Sequence, residues 1–129
     1  MIGHIRWLRV VVAALIIEIG LVVVTVPFLL LVGERTALQI AVPAACLVVP
    51  FVVAWFAKRP LPAARTLHGL LIGVVATVMY FALVIGTSSI AEAVASYGLP
   101  LFVVVNALRV VCAWAGGYAP DRRATASPA

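Results

Sequence analysis

The chain has 129 residues, of which 66% are hydrophobic and only 10% are charged, and its mean hydropathy is +1.26. A soluble domain carries about 25% charged residues, so a water-facing surface is excluded for much of this chain and lipid must be its solvent. The formal net charge of +5 comes from basic residues that lie mostly between apolar runs, as membrane topology signals do, and no basic stripe for nucleic acid is visible.

Two long apolar runs occupy the first half of the chain. The first covers residues 10–32 and contains one charge, Glu18, and the second covers residues 36–57 and contains none. A transmembrane helix needs about 20 predominantly apolar residues, and both runs reach that length. The Gly-Glu-Arg sequence at 33–35 predicts a turn between them.

Two further apolar runs occupy the second half. A basic, proline-rich loop at 58–65 precedes the third run, 66–86, and the fourth run, 99–118, contains one charge, Arg109. The polar tail at 119–129 is predicted to be disordered. Membrane β-strands would alternate over about ten residues, whereas these runs are apolar throughout. We therefore predict a single all-α domain, a membrane-spanning four-helix bundle.

The segment at 88–98 allows two interpretations. Ser89 and Glu92 have the spacing of a capping box, and Gly98 with Pro100 would end a short helix on the membrane surface. An early start of the fourth helix, kinked at Pro100, fits equally well.

The basic residues are distributed unevenly between the two sides that four crossings create. Cytoplasmic loops carry an excess of Lys and Arg. With both termini and the central loop inside, seven basic residues share that side: Arg6, Arg9, Lys58, Arg59, Arg65, Arg122 and Arg123. The other side then holds only Arg35. The pattern predicts a multi-pass protein of the bacterial inner (cytoplasmic) membrane, with both ends in the cytoplasm.

Two opposite charges are predicted to lie at equal depth in the membrane. Glu18 is nine residues past Arg9, and Arg109 is nine residues before Tyr118, so each lies about 13 Å from the cytoplasmic boundary. A charge at such depth is costly and usually faces an internal partner. We therefore expect an intramembrane ion pair between Glu18 and Arg109.

Two polar residues share helix faces with these charges. Asn106 lies one turn before Arg109 and can hydrogen-bond to either charge, and Thr25 lies two turns after Glu18. The pair is either a proton- or ion-coupled site or a clamp that fixes helix pairing. The clamp is favoured, because a neutralised pair without further acids makes a poor relay.

A row of small residues indicates close helix packing. Gly69, Gly73 and Thr77 follow at a spacing of four on the third helix, and Gly116 continues the Asn106–Arg109 face of the fourth. Such rows let a second helix backbone approach. Packing within the chain is favoured over a dimer seam.

No residue set indicates catalysis or metal binding. The acids are Glu18, Glu34, Glu92 and Asp121. His4 and His68 have no Cys, Asp or Glu at ligand spacing, and Cys46 and Cys112 are predicted to be small buried hydrophobes. We predict a non-enzymatic protein without metal or cofactor.

The stretch Ala-Leu-Ile-Ile-Glu-Ile-Gly at 14–20 resembles the first span of the small multidrug resistance transporters. In that family a single glutamate binds cationic drugs and protons, so the resemblance implies the same role for Glu18. The aromatic residues that the family places along its middle spans have no clear match, and Arg109 would repel a cation.

The layout is also similar to that of uncharacterised four-helix bacterial membrane proteins of about this length. The matching stretches are Ala-Lys-Arg at 57–59, Leu-His-Gly through Gly at 67–73, Gly-Gly at 116–117 and Arg-Arg at 122–123. This resemblance implies the fold and no activity.

Together these features predict a small membrane protein that acts as an accessory or structural subunit or as a homo-oligomer. Its partners would be the lipid bilayer and a larger membrane protein or a second copy, and not nucleic acid. The alternative is a small proton- or ion-coupled transporter that uses Glu18.

Overall fold

The computed structural model describes residues 5–59 and 65–120, and all regular secondary structure within them is helical. The helices are α1 (Trp7–Val32), α2 (Glu34–Ala57), α3 (Arg65–Thr87), α4 (Ile90–Tyr97) and α5 (Leu99–Tyr118). All except α4 are long and apolar enough to cross a membrane. The predicted all-α class and the four candidate spans are therefore confirmed for the described residues.

Some predictions fall outside the described residues. They concern the middle of the basic loop at 60–64, the basic residues Arg122 and Arg123, and disorder of the tail from residue 121 onward.

Two glycines with positive φ separate consecutive helices. Gly33 (φ 85°) ends α1, and Gly98 (φ 78°) separates α4 from α5. Side chains disfavour this conformation, so glycine ends a helix sharply there. The Ser89 hydroxyl caps α4 by accepting the Glu92 amide at 3.2 Å, and Pro100 lies in the first turn of α5. Residues 90–97 thus form a separate short helix and not an early start of the fourth span.

The helix α2 contains a wide turn near its start. Residues Ala37–Ala41 form a π-helical turn immediately before Val42 and Pro43. Proline has no amide hydrogen to donate to the carbonyl four residues earlier, and its ring clashes with that carbonyl. A wider π-helical turn relieves this clash.

The four long helices pack in a definite order. The helix α1 packs against α2 and α3, and α5 packs against the same two, whereas α1 and α5 share little direct backbone contact. The core between them is made of valine, alanine, isoleucine and leucine side chains with Cys46. The outward residues are also apolar, such as Leu30 and Leu31, which are 80% and 82% exposed. Apolar residues on both faces are typical of helices surrounded by lipid.

Candidate functional site

Glycines bring α3 and α5 into backbone contact at the end of the helices that carries Lys58, Arg59 and Arg65, here called the basic end. A Cβ atom added at Gly69 would lie 2.8 Å from the Cα of Gly117. These distances leave no space for a side chain, so the two backbones touch.

Of the other predicted small residues, the glycines pack against neighbouring helices, and the threonine forms a hydrogen bond within its own helix. A Cβ atom at Gly73 would lie 2.7 Å from the Cα of Val110 on α5. Gly116 packs against the backbone of Phe51 on α2. The Thr77 hydroxyl donates to the Gly73 carbonyl at 2.9 Å, within its own helix. The glycines of the row thus make contacts within the chain.

Two buried polar side chains connect helix ends at the basic end. His68 is buried at the start of α3, and its Nε2 accepts the backbone amide of Arg6 at 3.1 Å. Lys58 is buried at the end of α2, and its ammonium donates to the carbonyl of Ala119 just after α5. A cation at that position also interacts favourably with the C-terminal end of α5. The sequence placed Lys58 in the basic loop and gave no sign that either residue is buried.

Glu18 and Arg109 form a buried ion pair. Nη1 of Arg109 lies 2.6 Å from Oε1 of Glu18, and their side chains are only 5% and 10% exposed, respectively. The pair connects residues 91 positions apart. It links α1 with α5, the two long helices that have little direct contact with one another. The contact therefore spans the space between α2 and α3.

Arg109 is also approached from the two remaining long helices. Its Cζ lies 4.1 Å from the ring centroid of Tyr80 on α3, within the range of a cation–π interaction. The Cys46 thiol of α2 lies close enough to interact with the same guanidinium. Arg109 is thus a meeting point of all four long helices. The sequence did not identify these two neighbours, because nothing in it shows which faces of α2 and α3 meet.

The two supporting polar residues lie in different places. Asn106 donates from Nδ2 to the carbonyl of Phe102 in its own helix at 2.8 Å. Its buried Oδ1 has no hydrogen-bond partner within the described residues, so it bonds to neither charge. Thr25 lies on the wall of a cavity that also includes the ion pair.

This cavity of about 310 Å³ extends from the ion pair toward the end of the helices opposite the basic end, and it is open along the outer surface, where Val22 and Leu83 are 58% and 55% exposed. Its apolar lining residues are Leu21, Val22, Val26, Val42, Leu83 and Val84. Its polar lining residues are Glu18, Arg109, Cys46, Tyr80, Thr25, Thr87 and Tyr97. Thr87 ends α3 and Tyr97 ends α4, so these two lie at the outer end of the cavity. From Tyr80 to Thr87 the cavity wall follows α3 for about 10 Å.

Tyr97 is the lining residue that α4 contributes. Its ring centroid lies 6.3 Å from that of Phe102 on α5. Burial raises the pKa of the Tyr97 phenol to about 12, and the neighbouring Tyr80 adds to the shift. The hydroxyl is therefore protonated at neutral pH and can donate a hydrogen bond into the cavity.

The described residues contain no group of three or more His, Cys, Asp or Glu side chains that could hold a metal ion. Comparison of the chain with protein-family models, curated proteins and solved structures finds no match. The two resemblances given above therefore stay predictions, and the chemistry of the site rests on its geometry.

Proposed function

We propose that the chain forms a four-helix bundle in the bacterial inner membrane and acts there as a non-enzymatic accessory or structural subunit or as a homo-oligomer. The observation that carries this proposal is the buried 2.6 Å contact between Arg109 and Glu18. It joins the two long helices that do not pack directly on each other. A clamp in that position fixes the mutual arrangement of all four.

The two charges of the pair neutralise each other, and this supports a structural role. Each charge has its partner, and Tyr80 covers the guanidinium. A proton relay through the membrane needs a series of ionisable groups. The other acids of the described residues, Glu34 and Glu92, both lie near helix ends opposite the basic end.

The grooves on the α1–α2 face support a partner in the membrane. One groove of about 660 Å³ lies toward the basic end and includes Val12, Ile16 and Phe56. A second, of about 430 Å³, lies toward the opposite end and includes Phe28 and Ala44. Both are almost entirely apolar, and such grooves accept the side chains of a neighbouring transmembrane helix.

The partner is tested by affinity capture from membranes combined with measurement of oligomeric mass. The variant Val12→Trp fills the larger groove, whereas Val78→Trp adds the same side chain to an exposed position on α3 outside both grooves. We expect Val12→Trp to lose the captured partner or the oligomer and Val78→Trp to keep it. A monomer without a constant partner in the unsubstituted protein would contradict the proposal.

The proposed topology places both ends of the chain in the cytoplasm. Arg6, Arg9, Lys58, Arg59 and Arg65 support it, because all five lie at one end of the helices, where cytoplasmic charges accumulate. Reporter fusions after residues 35 and 92 should read as external. An external reading for a fusion after residue 65 would contradict the topology.

The second candidate function is a small proton- or ion-coupled transporter, which the cavity leading to Glu18 favours. This function requires that Glu18 be reached from water. Labelling of Glu18 by a water-soluble carbodiimide in intact membranes, with protection by a substrate, would support transport. Complete lack of labelling would favour the clamp.

A further inference from the structure

The cavity beside the ion pair has charged groups at its inner end, leucine and valine side chains along its length, and the hydroxyl groups of Thr87 and Tyr97 at its outer end. Its volume of about 310 Å³ lies at the lower end of the range for ligand pockets, about 300–1,000 Å³. Leu21 and Val22 of α1 and Val84 of α3 belong to the wall, and Arg109 belongs to the inner end. Such a space fits a small molecule with an apolar body and a single polar group.

Arg109 has a hydrogen-bonding capacity that the protein does not use. Its residue is only 4% exposed. Nη1 donates to Glu18, but the buried Nε–H has no partner within the described residues. A buried unpaired donor is costly, and a planar guanidinium with a spare donor can bind a second carboxylate. The polar group that best completes this site is therefore a carboxylate.

We propose that the cavity binds a small lipophilic carboxylic acid, with the carboxylate on Arg109. The apolar body lies along Leu21 and Val22 and points toward Thr87 and Tyr97 at the outer end. This proposal does not depend on the accessory role, because it gives the same ion pair a ligand that competes with Glu18 for the guanidinium.

Charge balance determines how the acid is bound. A second carboxylate beside ionised Glu18 would leave an uncompensated charge in a site of low dielectric. The acid is therefore bound with its proton: its O–H bond breaks, an O–H bond forms on Glu18, and the ligand carboxylate takes the place of Glu18 on Arg109. The total charge of the site does not change.

Glu18 is the group that can accept this proton. The titratable groups around it are Arg109 of α5, Cys46 of α2, Tyr80 of α3 and Tyr97 of α4. Arginine cannot lose its proton, and thiols and phenols keep theirs at neutral pH. Each bound carboxylate should therefore take up one proton from solution.

The experiment measures binding to the full chain in nanodiscs of zwitterionic lipid, with decanoate, decanol and decylamine as probes. These three share a chain and differ in the polar group. We expect decanoate to bind ~10-fold or more tightly than the other two, because it alone makes a charge-assisted bond with Arg109. Its affinity should fall ~10-fold for each unit of pH above the pKa of the free acid, because one proton is bound with each anion.

Two matched variants separate the cavity from the lipid-facing surface. Val22→Trp fills the cavity, whereas Val23→Trp adds the same side chain just outside it. Both valines are largely exposed, at 58% and 64%, so neither change disturbs the core. Val22→Trp should lose decanoate binding and Val23→Trp should keep it. Equal binding by both variants, or by decanoate and decanol, would show partition into lipid only and would overturn the proposal.

Glu18→Gln gives an independent test of the proton. It leaves Arg109 charged and without a competing carboxylate, so decanoate should bind ~10-fold or more tightly than in the unsubstituted protein, without the pH dependence. Weaker binding, or an unchanged pH dependence, would overturn the proposal. If this variant does not fold, the comparison of Val22→Trp with Val23→Trp still tests whether the cavity binds decanoate.

Discussion

The helices α3 and α5 contact each other through glycines at one end and through large aromatic side chains at the other. At the basic end, Gly69 and Gly117 bring backbone against backbone. Toward the opposite end, the same helices are joined by the rings of Tyr80 and Phe102, whose centroids are 6.4 Å apart. Arg109 lies between these regions. Glycine packing leaves no free space between the two helices. The cavity lies at the level of the second region, where α1 and α3 form most of its wall and Arg109 is the residue that α5 contributes.

This difference separates a densely packed end of the bundle from the end that holds the cavity. At the basic end, the glycines pack the helices closely, and the hydrogen bonds of His68 and Lys58 connect the helix ends. The region beyond Arg109 has a cavity and a helix, α4, in which no residue is fully buried. Regions with few buried contacts open first, and a ligand site needs such a region.

The largest expected effect is on the ion pair, at the border of the two regions. Glu18→Gln leaves Arg109 buried without its counter-charge and should cost about 3–5 kcal/mol of stability. Arg109→Leu should cost less, because a stranded glutamate can accept a proton and become neutral, whereas arginine cannot lose one. Thermal unfolding of the purified variants measures both losses.

The double variant with Glu18→Gln and Arg109→Leu sharpens this prediction. It should be more stable than Glu18→Gln alone, because no unpaired charge stays buried. Purely additive losses would mean that the two side chains are not energetically coupled, and the clamp would lose its basis.

Gly73→Ala tests the packing of the first region. The new Cβ would lie 2.7 Å from the Cα of Val110, so α3 and α5 must separate, at a cost of about 1–3 kcal/mol. Gly86→Ala is the matched control on the same helix, because a Cβ there meets nothing within 4 Å. Gly86 lies one residue before the end of its helix, so the control should change stability by less than about 0.5 kcal/mol, because only a helix interior gains the full propensity of alanine. Similar melting temperatures for the two variants would contradict glycine packing.

Tyr80→Leu tests the aromatic side of the comparison. Its ring covers Arg109 at 4.1 Å, and a desolvated cation–π contact contributes about 2 kcal/mol. Tyr80→Leu should therefore lose about that amount of stability. Tyr80→Phe keeps the ring and should lose clearly less. If the two variants melt at the same temperature, the ring does not stabilise the cation.

The sequence was sufficient to predict the features that depend on the order of apolar and charged residues along the chain. Apolar runs of membrane length predicted the four long helices, and equal depth with opposite charge led us to expect Glu18 and Arg109 as a pair. It was insufficient where the outcome depends on which helix faces meet. Cys46 and Tyr80 could not be placed beside Arg109 without the packing order. Asn106 bonds to its own helix instead of a charge, because a short side chain reaches the nearest carbonyl first.

The smallest effect concerns Tyr97, at the outer end of the cavity. Burial raises the pKa of its phenol to about 12, whereas an exposed phenol is half ionised near pH ~10. The stability that this shift contributes is fully present below pH ~10 and is lost as the pH rises through about 12. The ultraviolet difference spectrum between the unsubstituted protein and Tyr97→Phe isolates this residue from Tyr80 and Tyr118. It should show little tyrosinate between pH ~9 and ~11. Half-ionisation near pH ~10 would mean that Tyr97 is exposed to solvent and that α4 does not cover this end of the cavity.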